Sequence, residues 1–314
     1  MSSDSENTIK TKKTKKRKIN REGLTLTLMA LPFLVLVFLF SYLPLFGWSF
    51  AFFDYRPGMR ITDMPFVGLK YFEIMITFST EVLRALRNTI VMSLMSLSTS
   101  FFPIIFAIAL NELRGSKTKR LIQTAVTLPH FISWVIVFSL CFAIFSHNGM
   151  YNNFIRSLGI DAPPNTVLTS ARHTWLFMTI LDVWKGLGWT AIIYLAAIAG
   201  IDTELYEAAS VDGAGRWRCI RHITVPGLMP TYVVLLLLQV GSLLSIGLER
   251  FLVFRNPLNS RMIENLDLYI FRIGIMTADY SFATAIGILR SFVSLILLFS
   301  VNALAKKIRG ESII

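Results

Sequence analysis

Six long runs of apolar residues constrain the fold of this chain more than any other feature of its sequence. A helix needs about 20 mainly apolar residues to cross the roughly 30 Å of hydrocarbon in a membrane, and each run has that length. The apolar residues are gathered in these runs, without the periodicity of a soluble helix or strand, so their burial requires lipid. The runs span residues 24–48, 88–110, 121–145, 175–199, 228–248 and 282–305. We therefore predict an all-α membrane protein with six transmembrane helices.

The composition agrees with this class and gives no sign of a catalytic centre. Of the 314 residues, 54% are hydrophobic and 16% are charged, which lies outside the usual range of soluble domains. Cys141 and Cys219 are far apart, and the four histidines show no i,i+4 pairing. We therefore expect no disulfide, no metal site and no catalytic residues.

Membrane topology explains the net charge of +12 better than nucleic-acid binding does. A basic cluster from Lys10 to Arg21 precedes the first run, which is too long for a signal-peptide core, so this end is expected to stay in the cytoplasm beside anionic lipid. The connections carry further basic residues: Arg114, Lys117, Lys119, Arg120, Arg216, Arg218, Arg221, Lys306, Lys307 and Arg309. We expect both termini and the segment 201–227 to be cytoplasmic. The connections 49–87, 146–174 and 249–281 would then lie outside the cell.

The segment 201–227 has the local signals of a folded element. Asp202 or Thr203 can cap a short helix, and Gly213 or Gly215 supplies the positive backbone dihedral that ends it. A helix here presents small side chains that let it enter a groove on another protein, with a charged anchor beside them. The residues concerned are Leu205, Ala208 and Ala209 on one face and Glu207 nearby. The alternative is an amphipathic loop that lies on lipid.

The same segment resembles the EAA loop of binding-protein-dependent ABC importer permeases. The matching residues are Glu207, Ala208, Ala209, Gly213, Ile223 and Pro226. Val225 stands where that family usually has Leu, a conservative change. The resemblance implies the type I importer architecture, with residues 205–213 as a coupling helix that docks in a cleft of a cytoplasmic ATPase.

The resemblance extends over residues 88–307 and implies a substrate class and partners. The stretches similar to the polysaccharide and oligosaccharide branch of maltose-type permeases are 266–274, 280–287 and 302–306, while Asn88-Thr89 and 127–134 match the wider family. A carbohydrate substrate is implied, together with a second homologous permease subunit in a heterodimer and an external solute-binding protein. Two ATPase subunits would hold ATP and Mg, because this chain has no phosphate-binding loop with its lysine. The chain itself is expected to be a transport subunit without a cofactor.

These inferences divide the chain into four parts. They are a basic cytoplasmic tail at 1–23, the first transmembrane helix and external loop at 24–87, a permease core of five helices at 88–307, and a cytoplasmic tail at 308–314. Prolines 32, 44, 103 and 129 are expected to kink or end helices.

Polar and aromatic residues within the spans are candidates for the substrate pathway, because polar groups in hydrocarbon are costly and usually face a cavity or another helix. The candidates are Asp182, Trp184, Lys185, Trp189, Gln239 and Arg290. A purely structural role is the alternative: Asp182 and Lys185 can pair on one helix face, Gln239 and Asn302 can bond neighbouring helices, and tryptophans anchor at membrane interfaces.

Two other functional classes are a secondary transporter or channel and a membrane scaffold for a cytoplasmic partner. Neither accounts for the EAA spacing. The first requires transport by the isolated chain along an ion gradient, and the second requires that no substrate stimulates a partner ATPase.

Overall fold

The computed structural model describes residues 21–78, 80–160 and 167–309. Its contacts divide the chain into two compact units, residues 1–49 and 50–314. Most of the tails predicted at 1–23 and 308–314 lies outside the described residues.

The described chain is almost entirely helical. Its α-helices are α1 (Arg21–Val37), α2 (Lys70–Phe78), α3 (Thr80–Ser98), α4 (Phe102–Asn111), α5 (Ser116–Thr127), α6 (Trp134–Phe145), α7 (Met150–Ser157), α8 (Thr174–Ala199), α9 (Thr203–Val211), α10 (Arg216–Cys219), α11 (Val225–Gly241), α12 (Glu249–Phe254), α13 (Ser260–Ile263), α14 (Leu266–Phe271) and α15 (Tyr280–Arg309). Extended pairing in the described ranges is one isolated antiparallel bridge between Phe53 and Phe66.

Among the described residues, six helical stretches are long and apolar enough to cross a membrane, which confirms the predicted fold class. They are Thr25–Phe52, Thr80–Asn111, Trp134–Ser157, Thr174–Ala199, Arg216–Gly241 and Tyr280–Ala303. The second stretch is broken between α3 and α4, just before Pro103, as expected of a residue that cannot donate a helix hydrogen bond. Pro32, by contrast, lies inside α1.

The third predicted run is two helices instead of one. In the span predicted at 121–145, α5 ends at Thr127, a 3₁₀ turn follows at Leu128–Phe131, and α6 begins at Trp134. Pro129 lies in that turn, where its missing N–H and fixed φ prevent the α-helix from continuing. The run therefore contains a break in the middle of its apolar sequence.

The fifth span also differs from the prediction of 228–248. It begins at Arg216, continues through a π-helical turn at Ile220–Thr224, and ends at Gly241. Residues 242–248 leave the helix, and Gly247 takes a positive φ of 92°. This early end frees the chain to turn back towards the other helices.

The segment after the fifth span, which includes the connection predicted at 249–281, packs among the helices. Phe251 and Phe254 of α12 are buried against Val137 of α6 and Met178 of α8. Their apolar rings bury more favourably in this core than in water. The segment 242–279 is thus an integral part of the helical core.

Side chains of α3 and α15 bind this irregular segment: those of α3 form hydrogen bonds with its backbone, and α15 contributes an ion pair. Thr89 Oγ1 accepts a hydrogen bond from the Leu266 amide at 2.9 Å, and Ser93 Oγ donates to the Leu243 carbonyl at 2.5 Å. Asp267 pairs with Arg290 of α15 and also accepts from the Gly247 amide at 3.0 Å. Non-helical backbone beside membrane spans is tolerated where protein groups satisfy it in this way.

Candidate functional site

The short helix predicted in the segment 201–227 is present as α9, between the fourth and fifth spans. Asp202 is its N-cap, and Oδ1 accepts from the Glu204 amide at 3.0 Å. At the other end Gly213 has a φ of 72°, and the Ala214 amide donates back to the Ala209 carbonyl at 2.8 Å. This left-handed glycine closes the helix as the sequence predicted.

The outer face of this segment is exposed and partly apolar. Leu205 is 53% exposed, Glu207 and Ala208 are exposed, and Ala209 is half-buried. Trp217, which sequence reasoning did not single out, is 75% exposed on α10. Exposed apolar side chains that surround a carboxylate form a surface suited to another protein.

The inner face of α9 is tied to the fifth span. The Tyr206 and Thr224 hydroxyls are 2.9 Å apart, and Thr224 is buried. Ile223 is half-buried beside it, and Pro226 is exposed in the first turn of α11. Tyr206 was missed in the sequence. This contact joins α9 to the helix that becomes α11.

A cleft of about 360 Å³ lies between α3, α8 and α11, a size within the range of small-molecule sites. Its polar lining comes from these helices and from the turn after α3: Ser96 from α3, Thr99 and Ser100 from the turn, Asp182, Thr190 and Tyr194 from α8, and Tyr232 and Gln239 from α11. The Ser100 and Tyr232 hydroxyls are 3.1 Å apart. The cleft therefore offers hydroxyl, amide and carboxylate groups to a polar molecule.

An ion pair at the wall of the cleft joins α8 to the segment after the fifth span. Asp182 Oδ1 pairs with the Arg250 guanidinium of α12, and Asp182 Oδ2 lies 3.5 Å from Ser96 Oγ. Gln239 donates to the same Ser96 Oγ at 3.1 Å. Burial lowers the pKa of the Arg250 guanidinium, and the charge of Asp182 opposes this effect.

Asp182 and Gln239 are the two pathway candidates that the fold brings together. In the structural alternative Asp182 pairs with Lys185, whereas in the structure Asp182 pairs with Arg250. Gln239 bonds a neighbouring helix, as the structural alternative expects, and lines the cleft as well. Sequence reasoning missed Ser96 and Arg250. Serine is common in spans, and Arg250 lies outside the apolar runs, so neither gave a signal.

The other four candidates lie elsewhere. Lys185 donates to the His130 carbonyl at 2.7 Å, and the Trp189 ring stacks on the His130 ring with centroids 4.6 Å apart. Both therefore contact the 3₁₀ turn in the third predicted run. Arg290 pairs with Asp267, and Trp184 is exposed outside the cleft.

A smaller hollow of about 150 Å³ adjoins the cleft on the side where the fifth span ends. Ser96 and Gln239 line both spaces, so their hydrogen bond forms the partition between them. Ser93, Ser242 and Ser245 add hydroxyls to the smaller hollow. Polar groups thus continue from the cleft towards the segment after the fifth span.

Comparison with known proteins identifies the family. Residues 100–310 match the family described as binding-protein-dependent transport system inner membrane component. Protein LplB of Bacillus subtilis (strain 168) is 38% identical over 92% of this chain and 90% of its own length. The polygalacturonan/rhamnogalacturonan transport system permease protein YteP of the same organism is 39% identical, over 92% of this chain and 89% of its own.

A solved structure supports the same assignment. A chain of a bacterial alginate ABC transporter, crystallised with an alginate pentasaccharide-bound periplasmic protein, has a TM-score of 0.84 and 32% sequence identity. The match covers 93% of this chain and 98% of that one. Together with the six apolar helices, these similarities identify a multi-pass protein of the cytoplasmic membrane. The chain belongs to the binding-protein-dependent transport system inner membrane components and is the permease subunit of an ABC importer.

Proposed function

We propose that this permease imports an oligosaccharide by alternating access, with α9 as the coupling helix and the cleft between α3, α8 and α11 as part of the substrate pathway. The observation that carries the proposal is the contact between Tyr206 and Thr224. It joins an exposed helix suited to a partner to the span that supplies Tyr232 and Gln239 to the cleft. A partner that moves α9 therefore changes the relative free energies of two conformations of the cleft.

The chemistry of the cleft supports a carbohydrate as the substrate. Hydroxyl, amide and carboxylate groups from three helices match the donors and acceptors of sugar hydroxyls, and tyrosine rings supply apolar contact. Relatives support the same class by their names. The trehalose/maltose transport system permease protein MalF of Thermococcus litoralis is 29% identical over 68% of this chain and 70% of its own.

The working complex contains this chain, a second homologous permease subunit, an external solute-binding protein and two cytoplasmic ATPases that hold ATP and Mg. α9 lies on the cytoplasmic side with both termini, and the segment 242–279 faces the binding protein. The basic residues near α9, which include exposed Arg216 and Arg218, agree with a cytoplasmic position.

The test is purification of the chain with the proteins that associate with it, followed by reconstitution in proteoliposomes. Oligosaccharide uptake that requires ATP and the binding protein is the expected result. Uptake by the isolated chain along an ion gradient contradicts the proposal, and so does the absence of any associated ATPase.

A further inference from the structure

The cleft carries a single formal charge on its lining. Seven of its eight polar residues are serine, threonine, tyrosine or glutamine, and the eighth is Asp182. Among the described residues that line it, no basic side chain is present. The cleft is therefore rich in neutral hydrogen-bonding groups around one carboxylate.

The arginine that compensates this carboxylate lies behind it. The Asp182 side chain is 35% exposed, whereas the Arg250 side chain is 13% exposed and is not part of the cleft lining. Arg250 Nε is buried without a hydrogen-bond partner, so the guanidinium is held within protein. The ion pair thus presents its negative end to the cleft and keeps its positive end away from a ligand.

We infer that this cleft selects uncharged, hydroxyl-bearing saccharides and rejects saccharides that carry carboxylates, with Asp182 as the residue that sets this specificity. The inference rests on the proposed function. A carboxylate accepts hydrogen bonds and donates none, so sugar hydroxyls donate to Asp182 and Gln239 offers a further amide. A uronate carboxylate in the same space meets a like charge, and such juxtaposition is unfavourable.

The expected substrate differs from those named for two relatives. YteP is named for polygalacturonan and rhamnogalacturonan, and a similar transporter of known structure imports the acidic polysaccharide alginate. A cation in the cleft would neutralise such a substrate. Here Arg250 is already paired with Asp182 and lies outside the cleft lining. The cargo of this importer is therefore expected to be neutral.

The experiment measures the equilibrium dissociation constants of two oligosaccharides of equal length, one neutral and one built from uronates. The protein is the purified complex of this chain with its partner permease and ATPases, without the binding protein, so that selection by the binding protein does not contribute. The wild-type complex is expected to bind the neutral oligosaccharide roughly tenfold more tightly, since the paired arginine screens part of the like-charge repulsion of the uronate.

Three variants locate the origin of the preference. Asp182→Asn should reduce it severalfold, because the amide keeps the shape without the charge. Gln239→Glu adds a second carboxylate and leaves the ion pair with Arg250 intact, so it should increase the preference even if Asp182→Asn folds poorly. Asp63→Asn, on an exposed segment away from the cleft, should leave the ratio unchanged.

Two results would overturn the inference. One is wild-type binding of the uronate that equals or exceeds binding of the neutral oligosaccharide, and absence of binding of both has the same consequence. The other is an unchanged ratio in both Asp182→Asn and Gln239→Glu. Failure of the proposed function appears separately, as absence of ATP-driven uptake of any oligosaccharide in proteoliposomes with the binding protein.

Discussion

The side-chain amide of Asn88 donates a hydrogen bond of 2.9 Å to the carbonyl oxygen of Glu264, although the two residues are 176 positions apart in the chain. The same nitrogen donates to the Arg261 carbonyl at 3.0 Å. Asn88 and Glu264 are both buried, so water does not compete for these bonds. One amide on the second span therefore anchors the segment that follows the fifth span, which also holds Arg250 behind the cleft.

Replacing Asn88 by Ala should destabilise the folded protein. The Glu264 and Arg261 carbonyls lose their partner, and an unsatisfied buried group such as the Glu264 carbonyl costs about 1–3 kcal/mol. A clear decrease in the thermal unfolding midpoint of the purified protein is expected. The control is Asn153→Ala, which removes an exposed amide that donates to the Asn148 carbonyl. Equal midpoints for the two variants would contradict the anchoring role.

Replacing Gly188 by Ala should disturb the packing of α8 against the end of α5. A Cβ atom at Gly188 would lie 2.5 Å from the Val126 carbonyl oxygen and 2.6 Å from the Thr127 nitrogen, so backbone must move. Overpacking of this kind typically costs 1–3 kcal/mol. Gly186→Ala is the matched control, because a Cβ there has no neighbour within 4 Å. The thermal unfolding midpoint of Gly188→Ala should be lower than that of Gly186→Ala. Equal midpoints would contradict the close packing at Gly188.

Replacing Gly213 by Ala should weaken the coupling helix through its backbone. Gly213 has a φ of 72°, and an L-residue in that region costs roughly 1–2 kcal/mol. Gly215 has a φ of −73°, so Gly215→Ala does not have this strain. Only the first variant should reduce substrate-stimulated ATP hydrolysis by the reconstituted complex. Equal activities in the two would show that this turn does not control coupling.

Replacing Glu207 by Ala should reduce association with the ATPase and uptake, while the spans still insert. Loss of one partly desolvated charge contact to a basic group typically costs about 2–5 kcal/mol. Tyr206→Phe, by contrast, removes the hydroxyl that contacts Thr224 and leaves the outer face of α9 intact. It should preserve association and lower uptake per ATP hydrolysed. Wild-type association, hydrolysis and uptake in Glu207→Ala would exclude a docking role for that residue.

The proposed orientation predicts which side of the membrane labels an introduced cysteine. A cysteine at Ser116, at the start of α5, should react with a membrane-impermeant reagent only from the cytoplasm. A cysteine at Leu258, exposed in the segment after the fifth span, should react only from outside. Both residues are exposed in the folded chain, so accessibility of the thiol is not limiting. Labelling of the cysteine at Ser116 from outside intact cells would contradict the proposed orientation.

The sequence by itself determined the features that depend on neighbouring residues. The number of spans was predictable because hydropathy sums along the chain, and lipid burial requires only length and apolar character. The helix α9 was predictable because Asp202 and Gly213 act on backbone groups within a few residues of themselves. The break at Pro129 follows from a missing N–H, although its position inside an apolar run hid its effect on the span.

Only the tertiary structure decided which residues meet in the cleft. Asp182 and Gln239 stood out in the sequence because polar groups in hydrocarbon need partners, but their partners are Arg250 and Ser96 on other elements. Lys185, three residues from Asp182, faces the 3₁₀ turn instead. The rotation of each helix about its axis and the return of residues 242–279 into the core set these pairs. Both depend on packing between distant segments, which the local sequence does not encode.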